Sequence, residues 1–166
     1  MYKLVYDENN NQIIQIDPNG NSTVIANEFS SEPVFSPDKE KAVYIYPLEW
    51  EVLGSLYLYN LINGQITKLI APDEKQNIPK YVDWIDNDNL AVIIGFGMGT
   101  VAVGGDVFIY NLSTKSLKKV TNYQPRIQIT KIKIINDFIE LIGIEYIDDN
   151  YNQFRDFKEK LPLNSF

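Results

Sequence analysis

The stretch EPVFSPDKEKAVYIYPLEWEVLGSLYLYNLINGQITKLI, residues 32–70, decides the fold class of this chain. It divides into four short runs, 32–38, 41–46, 55–61 and 65–70, which are rich in β-branched and aromatic residues. Short runs of this composition, bounded by Gly, Pro, Asn and Asp, are typical of β-strands. Four such strands with short connections predict one antiparallel, four-stranded blade of a β-propeller.

The same unit recurs further along the chain. The segment YLYNL at 57–61 returns as FIYNL at 108–112, a spacing of 51 residues, and parts of the unit recur at 13–25 and 129–135. Self-similarity at a period of roughly 50 residues is a signature of repeat architectures such as propellers. The sequence therefore predicts one all-β domain, a β-propeller-like array of about four antiparallel blades, some of them incomplete. We expect the blades at about 1–30, 31–76, 77–123 and 124–166, with the two full units at 32–70 and 80–121.

The strand pattern favours stacked blades but leaves alternatives open. The runs 90–94 and 107–110 are apolar at successive positions, which indicates strands covered on both faces. Neighbouring blades would provide those two covers. An open arc of blades and a β-sandwich are the alternatives. The tail at 152–160 is ambiguous, because its aromatic spacing suits either a helix or a last strand.

Composition excludes several kinds of chemistry. The chain has 166 residues, a hydrophobic fraction of 45%, and neither Cys nor His. The usual zinc sites and nucleophiles activated by histidine are therefore excluded, and we expect no cofactor and no bound metal. The formal net charge of −7 opposes nucleic-acid binding, which requires clustered basic residues. No apolar run approaches the roughly 20 residues of a transmembrane helix, and no signal peptide is evident.

Two resemblances sharpen this interpretation. The turn Ser36-Pro37-Asp38, followed by an apolar strand, the run 56–61 and a Lys-Leu ending, resembles the blade repeat of TolB-like and WD40-like propellers. Lys39 departs from that repeat, which usually has Gly at this position. In the second unit, Trp84-Ile85-Asp86 replaces the Ser-Pro-Asp turn. The resemblance implies the propeller fold.

The segments 95–106, GFGMGTVAVGGD, and 146–151, YIDDNY, are similar to an uncharacterised bacterial family, domain of unknown function 4652 (DUF4652). The family is typical of low-GC Gram-positive bacteria. This resemblance implies that the protein acts outside the cell or at the cell envelope. It would reach that location through a segment absent from this sequence. It brings no activity and no catalytic residues to this chain.

The glycine-rich segment 95–105 is the first candidate site. A phosphate-binding loop would need a Gly-Lys-Ser/Thr ending and a helix after it, and neither is present. We expect the segment between the second and third strands of the second full unit, with at least one Gly at positive φ. For Gly104 and Gly105 we expect close packing. The exposed, partner-binding part is expected at Gly97, Met98, Gly99 and Thr100.

Trp50 is the second candidate. Together with Tyr44 and Tyr46 it would form an aromatic platform for a sugar or a peptide. The flanking Glu49 and Glu51 raise the alternative of a carboxylate-based hydrolase acting on a polysaccharide.

The oxygen-rich segments 86–89 and 148–150 suit turns better than calcium, because neither matches the EF-hand pattern. The function that the sequence predicts is thus a non-catalytic binding module of the bacterial cell envelope. Its partner would be a protein or an envelope ligand.

Overall fold

The computed structural model describes residues 1–166 as fourteen strands followed by one 3-10 turn at Leu163–Ser165. The strands are β1 Lys3–Asp7, β2 Gln12–Ile16, β3 Ser22–Ala26, β4 Val34–Phe35, β5 Lys41–Tyr46, β6 Ser55–Asn60, β7 Ile66–Ile70, β8 Asn77–Trp84, β9 Asn89–Phe96, β10 Asp106–Asn111, β11 Ser116–Lys119, β12 Ile127–Ile135, β13 Phe138–Tyr146 and β14 Phe154–Pro162.

These strands form four antiparallel sheets in which each strand pairs with its neighbour in sequence. The orders are β1-β2-β3, β4-β5-β6-β7, β8-β9-β10-β11 and β12-β13-β14, so the first and last blades have three strands and the others four. The predicted array of about four blades, some of them incomplete, is confirmed. The ambiguous tail is a strand, since β14 pairs with β13 along its whole length, from Tyr146↔Phe154 to Phe138↔Pro162.

The hydrophobic core lies between neighbouring blades, in three clusters. One joins the first and second blades through Ile13 and Tyr59. The largest joins the second and third blades through Val43 and Trp84. The third joins the third and fourth blades through Ile93 and Ile132. A strand apolar on both faces therefore contributes to two clusters, as in β9.

No hydrophobic cluster joins the fourth blade to the first. On the outer face of the first blade, Val5 and Val24 are 45% and 48% exposed. On the outer face of the fourth, Lys131 and Lys133 are exposed. The four blades thus form an open arc, which was one of the alternatives that the sequence left open.

One side of the arc carries the longer connections, and we call it the loop face. It consists of the β5–β6, β9–β10 and β13–β14 loops and the connections between blades. Backbone hydrogen bonds hold these together: Leu48 donates to Phe29 (2.6 Å), Gly97 to Gln76 (2.9 Å) and Tyr146 to Arg126 (2.8 Å). Short turns form the opposite face, where the Leu61 N–H donates to the Glu40 carbonyl (2.8 Å).

The oxygen-rich segments form turns, as the sequence indicated. The Asp86 carboxylate accepts hydrogen bonds from the N–H groups of Asp88 and Asn89, each at 2.8 Å. Asp148 accepts in the same way from Asn152 (3.0 Å) and Gln153 (2.8 Å). Carboxylates engaged in this way replace the backbone partners that a tight turn lacks.

The turn between β4 and β5 explains why the TolB-like repeat usually has Gly where this chain has Lys39. The Ser36 hydroxyl donates to the Asp38 carboxylate at 2.5 Å, and this carboxylate accepts from the Glu40 N–H at 3.0 Å. Lys39, between Asp38 and Glu40, reverses the direction of the chain and has a φ of 63°. Left-handed backbone is unfavourable for a residue with a Cβ, which is why glycine suits this position.

Lys39→Gly is therefore expected to stabilise the protein by about 0.5–1 kcal/mol, because the relief of strain exceeds the added chain entropy of glycine. Urea unfolding measures the change. Glu40→Gly is the matched control, since Glu40 does not have a positive φ. That variant is expected to lose stability. Equal losses in both variants would show that the backbone at residue 39 carries no strain.

Candidate functional site

The glycine-rich segment lies where the sequence placed it, between the second and third strands of the third blade. Its first residue, Gly95, belongs to β9, and β10 begins directly after Gly105. Gly99 has a φ of +79°, and a Cβ at this position would meet nothing within 4 Å. The expectation of a glycine with positive φ is confirmed, and it falls on the exposed half of the segment.

The other half of the segment forms the seam between the third and fourth blades. The Gly105 N–H donates to the Ile129 carbonyl (3.0 Å), and the Ile129 N–H donates back to the Gly105 carbonyl (3.1 Å). A Cβ on Gly104 would lie 2.1 Å from the Ile129 oxygen. These glycines therefore permit a close approach of two backbones.

The β5–β6 and β9–β10 loops enclose a cavity of about 360 Å³ between the second and third blades. We call it the Trp50 cavity. Four of the five predicted site residues line it, while Met98 does not. The lining residues are Leu48, Glu49, Trp50, Glu51, Ile78, Lys80, Gly97, Gly99, Thr100, Ala102 and Val103.

Trp50 lies at the open side of this cavity and is 66% exposed. The predicted aromatic platform is otherwise wrong. Tyr44 is buried and stacks on Tyr57, with ring centroids 5.5 Å apart, and Tyr46 packs against the cluster between the first two blades. The side chain of Tyr44 points to the opposite side of the sheet, into that cluster, so neither tyrosine shares a surface with Trp50.

Gly97 and Met98 are half-buried rather than exposed as expected, because Gly97 packs close to Leu53 and Ile78 and Met98 lines a neighbouring cavity of about 440 Å³. That cavity also involves Phe96, Val101 and Tyr151, and it shares Gly99 and Thr100 with the Trp50 cavity. The two cavities therefore flank the tip of the glycine-rich loop. Met98 lies on the side of the fourth blade, and Trp50, from the loop of the second blade, lies on the other side.

Glu51 connects the two loops around the cavity. Its Oε1 accepts a hydrogen bond from the Gly99 N–H at 3.0 Å. Glu49 also lines the cavity, and both side chains are exposed. This contact holds the tip of the glycine-rich loop against the neighbouring blade.

Sequence reasoning missed Lys80, which lines the same cavity. Pro79 pairs with Ile94 and Tyr81 with Ile93, so Lys80 is the extra residue of a β-bulge. Bulges re-aim side chains. The Lys80 ammonium donates a hydrogen bond to the Ala102 carbonyl, and burial lowers the pKa of this lysine to about 8. The available signal was a lone charged residue inside the apolar run 78–82.

Lys80 gives the stability a predictable pH dependence. Its pKa falls from 10.5 in the unfolded chain to about 8 in the fold, so between these values the unfolded state binds more protons. Stability therefore rises with pH through this window, by at most about 1.4 kcal/mol per pH unit. Burial also raises the pKa of Tyr59 to about 12, which acts oppositely once unfolded tyrosines ionise near pH 10.

Urea unfolding between pH 7 and 9.5 is expected to show this rise in the natural sequence and to lose it in Lys80→Met. Lys75→Met, a change at an exposed lysine, is the control and should retain the rise. An identical pH profile for the natural sequence and Lys80→Met would contradict the lowered pKa.

A third cavity, of about 380 Å³, lies along the seam of the third and fourth blades. Its polar groups are engaged with one another. Asp106 accepts from Thr121 (2.7 Å) and from the Tyr123 N–H (3.1 Å), and it pairs with Lys119 at 2.9 Å. The charges there stabilise the seam, whereas the ammonium in the Trp50 cavity has no carboxylate partner.

Four antiparallel blades in an arc, with an exposed tryptophan over a cavity on the loop face, define a β-propeller-like protein. Residues 48–162 match the family described as "Domain of unknown function (DUF4652)", and the chain belongs to this family. No curated protein matches the sequence. The structure has no helix with the length and apolarity needed to cross a bilayer.

Solved structures show the same architecture. A protein of Clostridium novyi NT described as a conserved lipoprotein is 26% identical, with a TM-score of 0.75 over 81% of this chain and 88% of that one. TolB from Acinetobacter baumannii is 15% identical, with a TM-score of 0.58 over 98% of this chain and 38% of TolB. The β-propeller domain of the Trilobed protease from Pyrococcus furiosus, which has an open velcro topology, is 15% identical, with a TM-score of 0.52 over 95% of this chain and 51% of that one. The chain thus spans about half or less of these last two propellers, and they show the fold alone.

Proposed function

We propose that this protein is a non-catalytic binding module of the bacterial cell envelope, with its binding site at the Trp50 cavity on the loop face. The observation that carries the proposal is the convergence of two loops from different blades around one exposed tryptophan. Trp50, Gly97, Gly99 and Thr100 line this cavity, and Met98 lies beside it. The partner is a protein or an envelope ligand.

The composition of the loop face supports a binding role. Besides Trp50, the side chains of Leu48, Phe96 and Val103 are exposed by 44%, 45% and 47%. Several large apolar side chains exposed together on one face are typical of an interaction surface. Tryptophan is also enriched among the residues that dominate binding energy.

The envelope location is supported by the likeness to the lipoprotein of Clostridium novyi NT, which covers most of both chains. The resemblance of segments 95–106 and 146–151 to an envelope-associated family points the same way. Fractionation of the natural host, with an antibody against this protein, tests the location directly. Recovery in the cytosolic fraction would contradict it.

The binding role is preferred over polysaccharide hydrolysis because both candidate carboxylates are exposed to solvent. Glu49 and Glu51 are exposed, and Glu51 accepts a backbone hydrogen bond that links two loops. A general acid in a glycosidase needs a desolvated environment that keeps it protonated. Release of reducing sugar from a cell-wall polysaccharide, lost in Glu51→Gln, would establish the hydrolase instead.

Capture from an envelope extract tests the proposal. The immobilised protein is compared with Trp50→Ala and with Ile62→Ala, a matched control that is 55% exposed on the opposite face. We expect Trp50→Ala to reduce the captured partner at least about tenfold, as for a central anchor residue. Ile62→Ala should capture normally. Equal capture by both variants would rule out the Trp50 cavity as the binding site.

A further inference from the structure

Lys80 differs from every other lysine of this protein. Eleven of the thirteen lysines are exposed, and only Lys41 and Lys80 are not. Lys41 pairs with the Asp38 carboxylate at 3.4 Å. Lys80 has no carboxylate within ion-pair distance, although it lines a cavity. It is therefore a partly desolvated positive charge without a counter-charge.

The hydrogen-bonding capacity of this ammonium is only partly used. A lysine ammonium has three N–H donors, and the Ala102 carbonyl accepts from one of them. A buried charge is unfavourable unless it is paired and hydrogen-bonded. The lowered pKa of Lys80 reflects this missing compensation. An anion that enters the cavity would supply both the charge and the acceptors.

We propose that the Trp50 cavity recognises a carboxylate group, which pairs with the Lys80 ammonium while the rest of the ligand lies against Trp50. This inference rests on the proposed binding function and names its ligand class. The cavity of about 360 Å³ lies within the range of roughly 300–1,000 Å³ that is usual for small-molecule sites. Its size suits one sugar ring or one or two amino-acid residues.

The other charged groups in the cavity favour a carboxylate over a phosphate. Glu49 and Glu51 also line it, and both are acidic side chains. Repulsion from these side chains grows with the charge on the ligand, so a monoanion is favoured over a dianion. Their oxygens also offer acceptors for hydroxyl or amide N–H groups elsewhere on the ligand.

A carboxylate of this kind has two sources at an envelope, an acidic sugar and the carboxyl terminus of a peptide. Two pairs of probes distinguish them. D-glucuronate is compared with D-glucose, and N-acetyl-alanine with N-acetyl-alaninamide. Within each pair the probes differ chiefly in the charged carboxylate.

Binding is followed by the indole N–H signals in nitrogen-15 NMR spectra of the intact protein. The two tryptophans serve as probe and internal control, since Trp50 is exposed, whereas Trp84 is buried and donates to the Val34 carbonyl at 2.8 Å. We expect one carboxylate probe to shift the Trp50 signal saturably, with at least tenfold weaker binding of its neutral analogue. The Trp84 signal should stay in place.

Lys80→Met should weaken that binding at least tenfold, while Lys80→Arg and the exposed-site control Lys75→Met should retain it. The backbone spectrum of each variant reports whether it is folded. Equal binding of charged and neutral probes, undiminished binding by folded Lys80→Met, or no shift with either carboxylate at 50 mM would each overturn the inference. If these probes fail while Trp50→Ala still abolishes capture from the extract, the proposed function stands and only its ligand class is wrong.

Discussion

Gly104→Ala is expected to destabilise the protein by about 3 kcal/mol or more, although it adds a single methyl group. The new Cβ would lie 2.1 Å from the Ile129 carbonyl oxygen and 2.7 Å from its carbon, and both atoms belong to backbone. Backbone cannot rotate aside as a side chain can. The seam between the third and fourth blades would have to open, with loss of the paired hydrogen bonds between Gly105 and Ile129.

Urea unfolding followed by circular dichroism measures this loss. Gly20→Ala is the matched control, because Gly20 has a φ of +87° but a Cβ there would meet nothing within 4 Å. Its cost should stay near 1–2 kcal/mol, the price of left-handed backbone alone. A loss in Gly104→Ala no larger than this would show that the blades do not approach each other as closely as the structure describes.

Trp84→Ala is expected to cost about 3–5 kcal/mol, the usual range for removing a large buried aromatic side chain. Trp84 is only 5% exposed and belongs to the largest cluster, between the second and third blades. Its indole Nε1 donates to the Val34 carbonyl across these blades at 2.8 Å. The substitution therefore leaves both a void and a buried acceptor without its partner.

Two further variants separate these contributions. Trp84→Phe keeps most of the ring volume and removes the donor, so we expect a loss of about 1–3 kcal/mol. Trp50→Ala, at the exposed tryptophan, should change stability by less than about 0.5 kcal/mol. Similar losses at both tryptophans in urea unfolding would contradict the assignment of Trp84 to the core and Trp50 to the binding surface.

Much of the candidate site could be predicted from local sequence. The glycine-rich segment is visible as composition, and its split into a packed half and an exposed half follows from Gly104 and Gly105 running directly into an apolar strand. The structure agrees at Gly104, which lies at a seam, and at Gly99, which has open space around it, whereas Gly97 and Met98 are half-buried. Trp50 was visible as a large aromatic residue flanked by Glu49 and Glu51.

The partners of these residues could not be predicted. Tyr44 and Tyr46 precede Trp50 closely, yet Tyr44 points to the far side of the sheet and stacks on Tyr57. Strand periodicity gives relative faces, but not which face meets the neighbouring blade. Lys80 escaped notice because a bulge shifts its register, and the bulge is defined only by the pairing of β8 with β9.

The sequence by itself determined the strands, the turns and the repeat, and hence an all-β chain of four blades. These features depend on short-range physics: alternation along a strand, the backbone freedom of Gly and Asn, and the side-chain hydrogen bonds of Asp and Ser. The tertiary structure alone decided that the arc is open, that the tail is a strand, and that Trp50, Gly99 and Lys80 surround one cavity. Each of these depends on pairing with another strand, on contacts between different blades, or on which blade faces remain uncovered, and no local pattern specifies them.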